Sequence, residues 1–534
     1  MKISKIASVL AKTSIAAFVF AGTCGTALAA VNVSPETNVW PVMVRLDCNV
    51  VMKLALTSEG ETLNGISLDL TGTTNPRDIA CVEAFFAGEK PGTVGEKFGS
   101  VKISGAPKII ITGKKKLPAG ASEILISVQM KKNADITGKI ALNVLGINVN
   151  ARTQSVKDAK TEQRIGYCVA KPGDLGSKNY RIPALARNPK TGTLVATYDI
   201  RYNHSGDLPA NIDVGVSRST DGGRNWTPTE IAIAHKDLGN GNGVGDPGIL
   251  VNDKTGEFWI AGLNSGKSGH PIWTSVSGTV DPAKCSQMVL VKSKDDGKTW
   301  GKPINITKSV KRLDDPDTKD WGSLFQGPGA GICTKDGTLV FPAQVWMRDP
   351  GNTKTLGEGE SQGVLVYSKD GGKTWTSTKS SPFGGSESTC VEMKNGAIAL
   401  NTRTNRGWGR TGSILKKLDS KTEWVVDENL VRGAKGNLRQ PGGCQAALLA
   451  NGSEWYFSNP NAGNRSHMTL KYSKDGGKSW NGGLLYDERG CAGYSSTAFA
   501  DDKNARIGVL YEGALNAQTL FFLSIPVEEI KKSK

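Results

Sequence analysis

The chain has 534 residues, which is too long for one ordinary hydrophobic core and predicts two domains. Its 66 Lys and Arg residues outnumber its 50 Asp and Glu residues, and the formal net charge of +16 favours anionic partners. The lysines are spread along the chain without arginine-rich runs and interleaved aromatics, which argues against nucleic-acid binding. The chain has four histidines and no HxxxH or HExxH pair, which argues against metallohydrolase chemistry.

Residues 1–29 have the pattern of a secretory signal peptide. Lysines stand at positions 2, 5 and 12, the middle is apolar, and a small-residue cleavage pattern ends at Ala29. The alternative is a lipoprotein anchor on Cys24, which Thr23 before the cysteine fits poorly. No later apolar run is long enough to span a bilayer. We therefore expect an exported protein, secreted or held in the periplasm or at the cell surface, without a membrane span.

Eight widely spaced cysteines remain once the signal peptide is removed, and none forms a CxxC pair. This spacing argues against a zinc site and against a disulfide-dense small fold. Export permits disulfides, but the spacing does not determine which cysteines would pair.

The first part of the mature chain alternates apolar and polar residues in short runs separated by Gly, Pro and Asn, such as VVMKLALT, GISLDL and ILISVQM. This pattern is typical of a β-sandwich, and it predicts such a domain over residues 30–152. The charged stretch 153–164 has no apolar periodicity and is predicted to be a linker. Residues 165–534 form the predicted second domain, in which glycine becomes frequent.

A short motif occurs four times in this second domain, as STDGGRNW, SKDDGKTW, SKDGGKTW and SKDGGKSW. Each copy follows an alternating run that is typical of a strand. Asp at the head of a turn can accept backbone N–H groups, Gly permits the positive φ of a tight hairpin, and Trp can pack over the turn. The motif therefore predicts self-capped β-hairpins. The aspartates expected to fix these turns are Asp221, Asp295, Asp370 and Asp475.

The spacing of the four copies, 74, 75 and 105 residues from one start to the next, is too irregular for a uniform array and fits a propeller with loops between blades. Calcium loops are an alternative, but the turns lack the alternating acids of an EF-hand. A catalytic role for the repeated Asp would need four equivalent sites on four blades, which a single active site cannot use.

These motifs resemble the Asp-boxes of sialidases, and NYRIPALA at residues 179–186 resembles the Arg-Ile-Pro motif that opens the sialidase catalytic domain. Asp-boxes alone do not establish activity, since non-enzymatic propellers carry them too. From residue 165 to 525 the motif order is similar to that of secreted bacterial sialidases. The resemblance implies an all-β, Bacteroidetes-type architecture, in which a small β-sandwich precedes a six-bladed β-propeller. Four copies then mean that two blades lack a readable one.

Sialic acid carries a carboxylate directly on its anomeric carbon, so its site needs several fixed cations. Arginine suits this role because its planar fork binds a carboxylate bidentately and stays charged. The resemblance assigns three residues to this carboxylate: Arg181 in YRIP, Arg403 in NTRTNRG and Arg465 in NAGNRS. Each arginine taken alone would be an ordinary surface residue. Their joint occurrence in the family's order favours a binding site.

The resemblance also implies a tyrosine nucleophile, Tyr494 in CAGYSS, with Glu387 in GGSEST as its base and Asp207 in SGDLP as the acid/base. Sialidases depart from the usual pair of carboxylates, and an anionic substrate explains this because it would repel a carboxylate nucleophile. Taken singly, Asp207 would be interpreted as a turn residue and Tyr494 as a core aromatic; their placement in the matched domain favours the functional roles.

Three further residues match the family pattern. Asp246 in GDPGIL matches an acid that lines the acyl-amino pocket, Arg201 in YDIRYN matches an arginine near the sugar's 4-hydroxyl, and Gln326 in FQGPGAGI matches a contact to the glycerol tail. No metal or other cofactor is expected, because the arginines supply the electrostatic stabilisation.

The resemblance thus implies an exo-α-sialidase that releases terminal sialic acid from glycoproteins, gangliosides and oligosaccharides with retention of configuration. Two alternatives stay open: a non-catalytic sialic-acid lectin on the same propeller, and a trans-sialidase or intramolecular trans-sialidase using the same site. How water reaches the intermediate decides between hydrolysis and transfer, and loop sequence does not reveal it. Linkage preference and oligomeric state stay equally open, and a carbohydrate-binding role for the N-terminal domain is an analogy of position.

Overall fold

The structure is a computed structural model that describes residues 31–90, 93–239, 241–267, 275–347, 361–404, 409–431, 438, 443–513 and 518–533. The predicted signal peptide lies outside the described residues. Within them the regular secondary structure is nearly all strand, which confirms the predicted all-β class. No helix of the described residues is long and apolar enough to cross a membrane. Short α-helices include α1 (Thr307–Lys311) and α2 (Val527–Lys532), and 3-10 helices cover Pro76–Asp78, Asp174–Gly176 and His235–Leu238.

The N-terminal part consists of two sheets packed face to face. Its strands are β1 (Asn32–Glu36), β2 (Val42–Val44), β3 (Asn49–Glu59), β4 (Thr62–Asp69), β5 (Ile79–Ala87), β6 (Val94–Lys102), β7 (Lys108–Lys116), β8 (Ala119–Met130), β9 (Lys139–Val149), β10 (Arg152–Ser155) and β11 (Lys160–Ala170). One sheet has the order β1-β3-β8-β5-β6 and the other contains β7-β4-β9-β11. Alternate apolar residues such as Leu54, Ile66 and Ile124 fill the space between them and are fully buried. This is the sandwich that the alternating runs predict.

The remaining strands form six successive sheets within the described residues, and these are antiparallel except for one short parallel pair. They are β12 (Asn179–Arg187), β13 (Leu194–Arg201), β14 (Ile212–Ser219), β15 (Glu230–Ile233), β16 (Val244–Val251), β17 (Phe258–Asn264), β18 (Gln287–Ser293), β19 (Ile304–Asn305), β20 (Leu324–Gln326), β21 (Gly329–Ala330), β22 (Ile332–Cys333), β23 (Leu339–Trp346), β24 (Ser361–Ser368), β25 (Thr376–Ser377), β26 (Ser388–Glu392), β27 (Ile398–Arg403), β28 (Arg410–Leu415), β29 (Trp424–Val426), β30 (Ala447–Asn451), β31 (Glu454–Pro460), β32 (Met468–Ser473), β33 (Leu484–Asp487), β34 (Ser495–Phe499), β35 (Arg506–Glu512) and β36 (Leu520–Pro526).

The six sheets close into a ring. Five of them follow one another in chain order, and the sixth combines β34, β35 and β36 with β11. The strand β12 contacts β16, β16 contacts β20 and β23, β23 contacts β26, β26 contacts β30, and β30 contacts β34. The strand β34 then contacts β12 again. This closed order is the arrangement expected of a six-bladed propeller.

The predicted linker, residues 153–164, is wrong as a description of local structure. Its beginning lies in β10 and its end in β11, and β11 pairs with β9 of the sandwich and then with β36 of the sixth sheet. The buried polar residues of this stretch bond each other, since Gln163 Nε2 donates to Thr161 Oγ1 at 2.6 Å. Polar composition therefore concealed a strand that joins the two domains.

The four Asp-box turns have a common hydrogen-bond network. In the third, Asp370 accepts the Thr374 backbone N–H at 2.9 Å and the Thr374 hydroxyl at 2.6 Å, while Ser368 Oγ donates to it at 2.8 Å. The indoles of Trp226, Trp375 and Trp480 each donate to the carbonyl of the glycine three residues earlier. These contacts are those of a self-capped hairpin.

The turns lie between the third and fourth strands of their sheets, and this position explains the two blades without a copy. In the fourth sheet the equivalent turn reads KKLDSKTE and has no glycine; Asp419 still accepts the N–H groups of Lys421 and Thr422. In the sixth sheet the fourth strand is β11, which comes from the other end of the domain. No hairpin turn exists there for a box to cap.

Candidate active site

The residues predicted for the site meet at one end of the ring. In each antiparallel sheet the start of the first strand lies beside the end of the second, so these positions collect at one end of the propeller. Arg181 and Asp246 lie near the starts of β12 and β16, while Glu387 and Tyr494 immediately precede β26 and β34. The turns with the Asp-boxes follow third strands and therefore lie at the opposite end. The residues brought together are Arg181, Arg201, Asp207, Asp246, Gln326, Glu387, Arg403, Arg465 and Tyr494.

Two of the first strands are irregular at the residue before a proline. Ile182 and Asp246 have φ of 60° and 49°, and the strand register shifts at both places. Pro183 and Pro247 cannot donate a ladder hydrogen bond, and such bulges re-aim neighbouring side chains. The backbone N–H groups left over are bound by carboxylates: Ile182 N donates to Glu512 at 3.0 Å and Asp246 N donates to Asp199 at 2.8 Å.

Tyr494 and Glu387 form the central pair of the site. The Tyr494 hydroxyl donates a short hydrogen bond to Glu387 Oε1, and Arg403 Nη1 donates to Glu387 Oε2 at 2.6 Å and to the Tyr494 oxygen at 3.1 Å. Burial raises the pKa of Tyr494 well above its ordinary value, and Glu387 raises it further against the opposing effect of Arg403. The phenol is thus protonated at rest and in contact with a group able to take its proton.

The three predicted arginines surround this tyrosine. The Arg181 guanidinium lies 5.2 Å and the Arg465 guanidinium 5.5 Å from the centroid of the Tyr494 ring. Burial lowers the pKa of Arg181, but Glu512, Tyr494 and Asp207 outweigh that effect and the pKa is raised. Arg465 donates to the carbonyls of Ala492 at 2.9 Å and Gly443 at 3.3 Å. All three cations are therefore held in place by the protein.

Asp207 lies in the loop after β13, with its side chain 58% exposed at the mouth of the site. Its Oδ1 accepts Arg201 Nη1 at 2.9 Å and lies 3.6 Å from Arg181 Nη1. Burial acts to raise the pKa of Asp207, but Arg201 and Arg181 outweigh it, so the pKa is lowered. The carboxyl is ionised at neutral pH while no substrate is bound.

Arg201, Asp199 and Asp246 form a group behind Asp207, in which Arg201 and Asp199 are buried and Asp246 is half-buried. Arg201 is 1% exposed and binds Asp199 Oδ2 at 2.8 Å, so it supports Asp207 from behind; its contact with a sugar hydroxyl stays a prediction. Burial raises the pKa of Asp199 to about 6. Burial and then Asp199 raise the pKa of Asp246 well above its ordinary value. Gln326 donates through Nε2 to the Asp246 carbonyl, which places it beside this group.

Two carboxylates of the site, Glu512 and Asp199, are absent from the residues predicted by sequence. Glu512 ends β35, is fully buried, and accepts Arg181 Nε at 2.9 Å and the Tyr494 backbone N–H at 2.9 Å. Two of the residues that bind it, Arg181 and Ile182, precede it by 331 and 330 residues, so no local sequence pattern identifies Glu512. Asp199 had a signal, because it precedes Arg201 by two residues on a strand and so shares its face.

Comparison with known proteins gives the family. A family model described as a BNR repeat-like domain matches residues 182–512, and one described as the N-terminal domain of BNR-repeat neuraminidase matches residues 30–153. The chain is similar to a sialidase of Bacteroides fragilis, at 34% identity over 93% of this chain and 95% of the relative. It is also similar to a sialidase of Clostridium perfringens, at 29% identity over 51% of this chain and 67% of the relative.

Solved structures agree with these relatives. The fold is similar to that of a Hadza microbial sialidase, with a TM-score of 0.81 and 29% identity over 93% of this chain and 99% of that one. The Trypanosoma rangeli sialidase matches in fold alone, with a TM-score of 0.53 and 23% identity over 66% of this chain and 56% of that one. The chain, with its sandwich, its ring of Asp-box sheets and its arginines around a tyrosine–glutamate pair, belongs to the BNR-repeat neuraminidase family of sialidases.

Proposed function

We propose that the protein is an exo-α-sialidase that hydrolyses terminal α-linked sialic acid with retention of configuration, through a covalent intermediate on Tyr494. The observation that carries the proposal is the hydrogen bond from the Tyr494 hydroxyl to Glu387 inside a group of three arginines. A phenol with a base in contact and cations around it suits attack on an anionic sugar, since it approaches as a neutral nucleophile.

Substrate binding follows from the arginines. The carboxylate on the anomeric carbon would be bound by Arg181, Arg403 and Arg465. The buried Nε of Arg403 has no hydrogen-bond acceptor among the described residues, which leaves it a donor for a ligand oxygen. Charge-assisted hydrogen bonds contribute about 1.5 to 3 kcal/mol each, so three arginines can both anchor and orient the sugar.

The first half of the reaction forms the intermediate. Tyr494 Oη attacks the anomeric carbon while its proton passes to Glu387, and the bond to the leaving oxygen breaks as that oxygen takes a proton from Asp207. In the second half, Asp207 removes a proton from water, the water oxygen attacks the same carbon, and Tyr494 leaves and recovers its proton from Glu387. Two inversions give net retention.

Asp207 must be protonated to act in the first half, although Arg201 and Arg181 keep it ionised in the free protein. The carboxylate of a bound substrate would neutralise part of the field of Arg181. The pKa of Asp207 would then rise on binding, and its exposed position gives it access to a proton from water.

The expected substrates are sialylated glycoproteins, gangliosides and oligosaccharides outside the cytoplasm, as the signal-peptide pattern suggests. Arginines and Glu387 supply the electrostatic stabilisation, so the scheme needs no metal or other cofactor. The role of the sandwich as a carbohydrate-binding domain is part of this proposal and rests on its place in the chain.

The test is turnover of a fluorogenic sialoside by the wild type and by Tyr494→Phe, with NMR of the first-released anomer. We expect the α-anomer first and a loss of turnover in the variant. Initial β-anomer would contradict the retaining scheme, and an inactive wild type that still binds sialosides would identify a lectin. Mass spectrometry of the products from mixed sialosides separates hydrolysis from transfer to another sugar and from internal capture.

A further inference from the structure

Arg410 is a buried arginine behind the site that the steps above do not use. It opens β28 and lies directly opposite Arg403 of β27 in the antiparallel register. Its side chain is buried, with 3% of the residue exposed. Like charges at directly opposite positions of two strands destabilise a sheet. Folding alone therefore does not favour this pairing.

Among the described residues, the hydrogen-bond acceptors of Arg410 are all electrically neutral. Nε donates to Asn401 Oδ1 at 2.5 Å, Nη1 to the Cys444 carbonyl at 2.7 Å and Nη2 to the Asn401 carbonyl at 3.4 Å. The guanidinium also lies 5.5 Å from the centroid of the Phe457 ring, which compensates part of the charge. Arg410 forms no ion pair with any residue in the described part of the chain, unlike Arg403, which binds Glu387.

The charge of Arg410 is retained at neutral pH. Burial lowers its pKa to about 10, which is still far above neutrality, and Arg403 acts in the same direction. Cys444, Glu387 and Tyr494 act the other way. The geometry agrees, because Arg403, which lies directly opposite Arg410 in the sheet, contacts both Glu387 and Tyr494 and so places this cation beside the central pair.

We propose that Arg410 is a positioning residue whose positive charge, not ion-paired among the described residues, favours the deprotonated state of the Tyr494–Glu387 pair and the carboxylate of a bound substrate. The proposal rests on the proposed function. A buried charge without a counter-ion destabilises the fold, and proteins retain such a charge where it serves a functional site. In a water-excluded site a fixed charge acts without reorganisation at the moment of reaction.

Arg410 also connects the chain segments around the site. Its hydrogen bond to the Cys444 carbonyl holds the segment in which Gly443 accepts Arg465 Nη2 and Gln445 accepts the Ser495 backbone N–H at 3.0 Å. A purely structural Arg410 would do only this, and its loss would lower stability. The proposed role predicts a different effect on stability. Removing the charge removes the cost of burying it, so stability does not fall, but the reaction becomes slower.

The test compares Arg410→Gln, which removes the charge but keeps a donor, with Arg410→Lys, which keeps the charge, in the full chain. Thermal unfolding and the pH profile of sialoside turnover are measured for both. The charged or titratable groups that face the central pair are Arg181, Arg403, Arg465, Asp246, Glu512 and Cys444, and both variants leave them in place.

For Arg410→Gln we expect a melting temperature no lower than that of the wild type and a kcat reduced about tenfold or more, as loss of one nearby charge in a partly buried site implies. The acid limb of its profile should move to higher pH, because the central pair is harder to deprotonate without the cation. Arg410→Lys should keep the wild-type acid limb. A Gln variant that fails to fold, or that melts earlier with its acid limb unmoved, would overturn the proposal.

The two proposals fail separately. An inactive wild type would count against the proposed function. An active wild type with an Arg410→Gln variant of unchanged kcat and unchanged acid limb would count against the role of Arg410 alone.

Discussion

Glu512 binds Arg181 in an ion pair of 2.9 Å at the closure of the ring, with the glutamate side chain fully buried and the arginine side chain 11% exposed. The same carboxylate accepts the backbone N–H groups of Ile182 and Tyr494. One side chain of the sixth sheet therefore positions Arg181, the bulge next to it and the backbone of Tyr494. In the first sheet, which follows the sixth around the ring, Asp199 has the equivalent position: it binds Arg201 and accepts the backbone N–H of Asp246.

Glu512→Gln should lower the free energy of unfolding by about 3 to 5 kcal/mol, because it leaves Arg181 buried without its counter-charge. Urea denaturation measures this change. Glu230→Gln, at an exposed position of β15, is the control and should stay within about 0.5 kcal/mol of the wild type. A similar, small change in both variants would show that Glu512 does not stabilise the ring closure.

Arg403→Lys should lower kcat/KM about tenfold to a hundredfold. Arg403 Nη1 contacts both Glu387 and Tyr494, while its Nε has no acceptor among the described residues and is left for a ligand oxygen; an ammonium group cannot hold donors in that fixed planar arrangement. Steady-state kinetics with a fluorogenic sialoside provide the measurement. Arg187→Lys is the matched control, because Arg187 ends β12 at the opposite end of the ring from the site. Equal losses in the two variants would contradict a specific role for Arg403.

The basic limb of the pH profile should lie at higher pH for kcat than for kcat/KM. In the proposed scheme Asp207 must carry a proton to act as the acid, and Arg201 and Arg181 lower its pKa in the free enzyme. The kcat/KM profile reports the free enzyme, whereas kcat reports the complex, in which the substrate carboxylate offsets part of the arginine field. Asp207→Asn should abolish this limb and should be least damaging for substrates with good leaving groups. Coincident limbs for kcat and kcat/KM would refute the proposed rise of the pKa on binding.

Asp370→Ala should reduce the free energy of unfolding by about 1 kcal/mol near neutral pH, as for the loss of a side-chain cap, and leave kcat and its pH dependence unchanged. The Thr374 hydroxyl, with further hydrogen bonds, lowers the pKa of Asp370 to about 2. A lowered pKa stabilises the fold above the unfolded-state value of about 4. The difference between variant and wild type should therefore shrink as the pH falls from about 4 toward 2.

Denaturation at pH 7 and at low pH checks this prediction, with Lys373→Ala in the same turn as the control. An Asp370→Ala variant of wild-type stability and lost turnover would mean that the box serves catalysis and not the fold.

The parts of the structure that sequence predicts are those with local causes. The Asp-box turn is held by bonds between residues two to four positions apart, so Ser368, Asp370 and Thr374 are readable from the sequence alone. Glu512 binds Arg181, which only ring closure brings near, and Arg410 reaches beyond its own sheet to the Cys444 carbonyl, so no sequence spacing predicts either contact. The strand β11 was missed because its buried positions Thr161 and Gln163 are polar and satisfy each other, so no apolar periodicity appears.

The strand β11 has a mechanical consequence, because a single β-sheet continues from β36 of the propeller through β11 to β9 of the sandwich. Any relative rotation of the two domains would have to break main-chain hydrogen bonds, so the pair has no free joint. If the sandwich binds glycans, as proposed, a bound glycan would meet the propeller at one fixed distance and in one fixed orientation. The enzyme would then prefer glycan branches in which the distance from the bound glycan to the terminal sialic acid matches the fixed distance between the two domains.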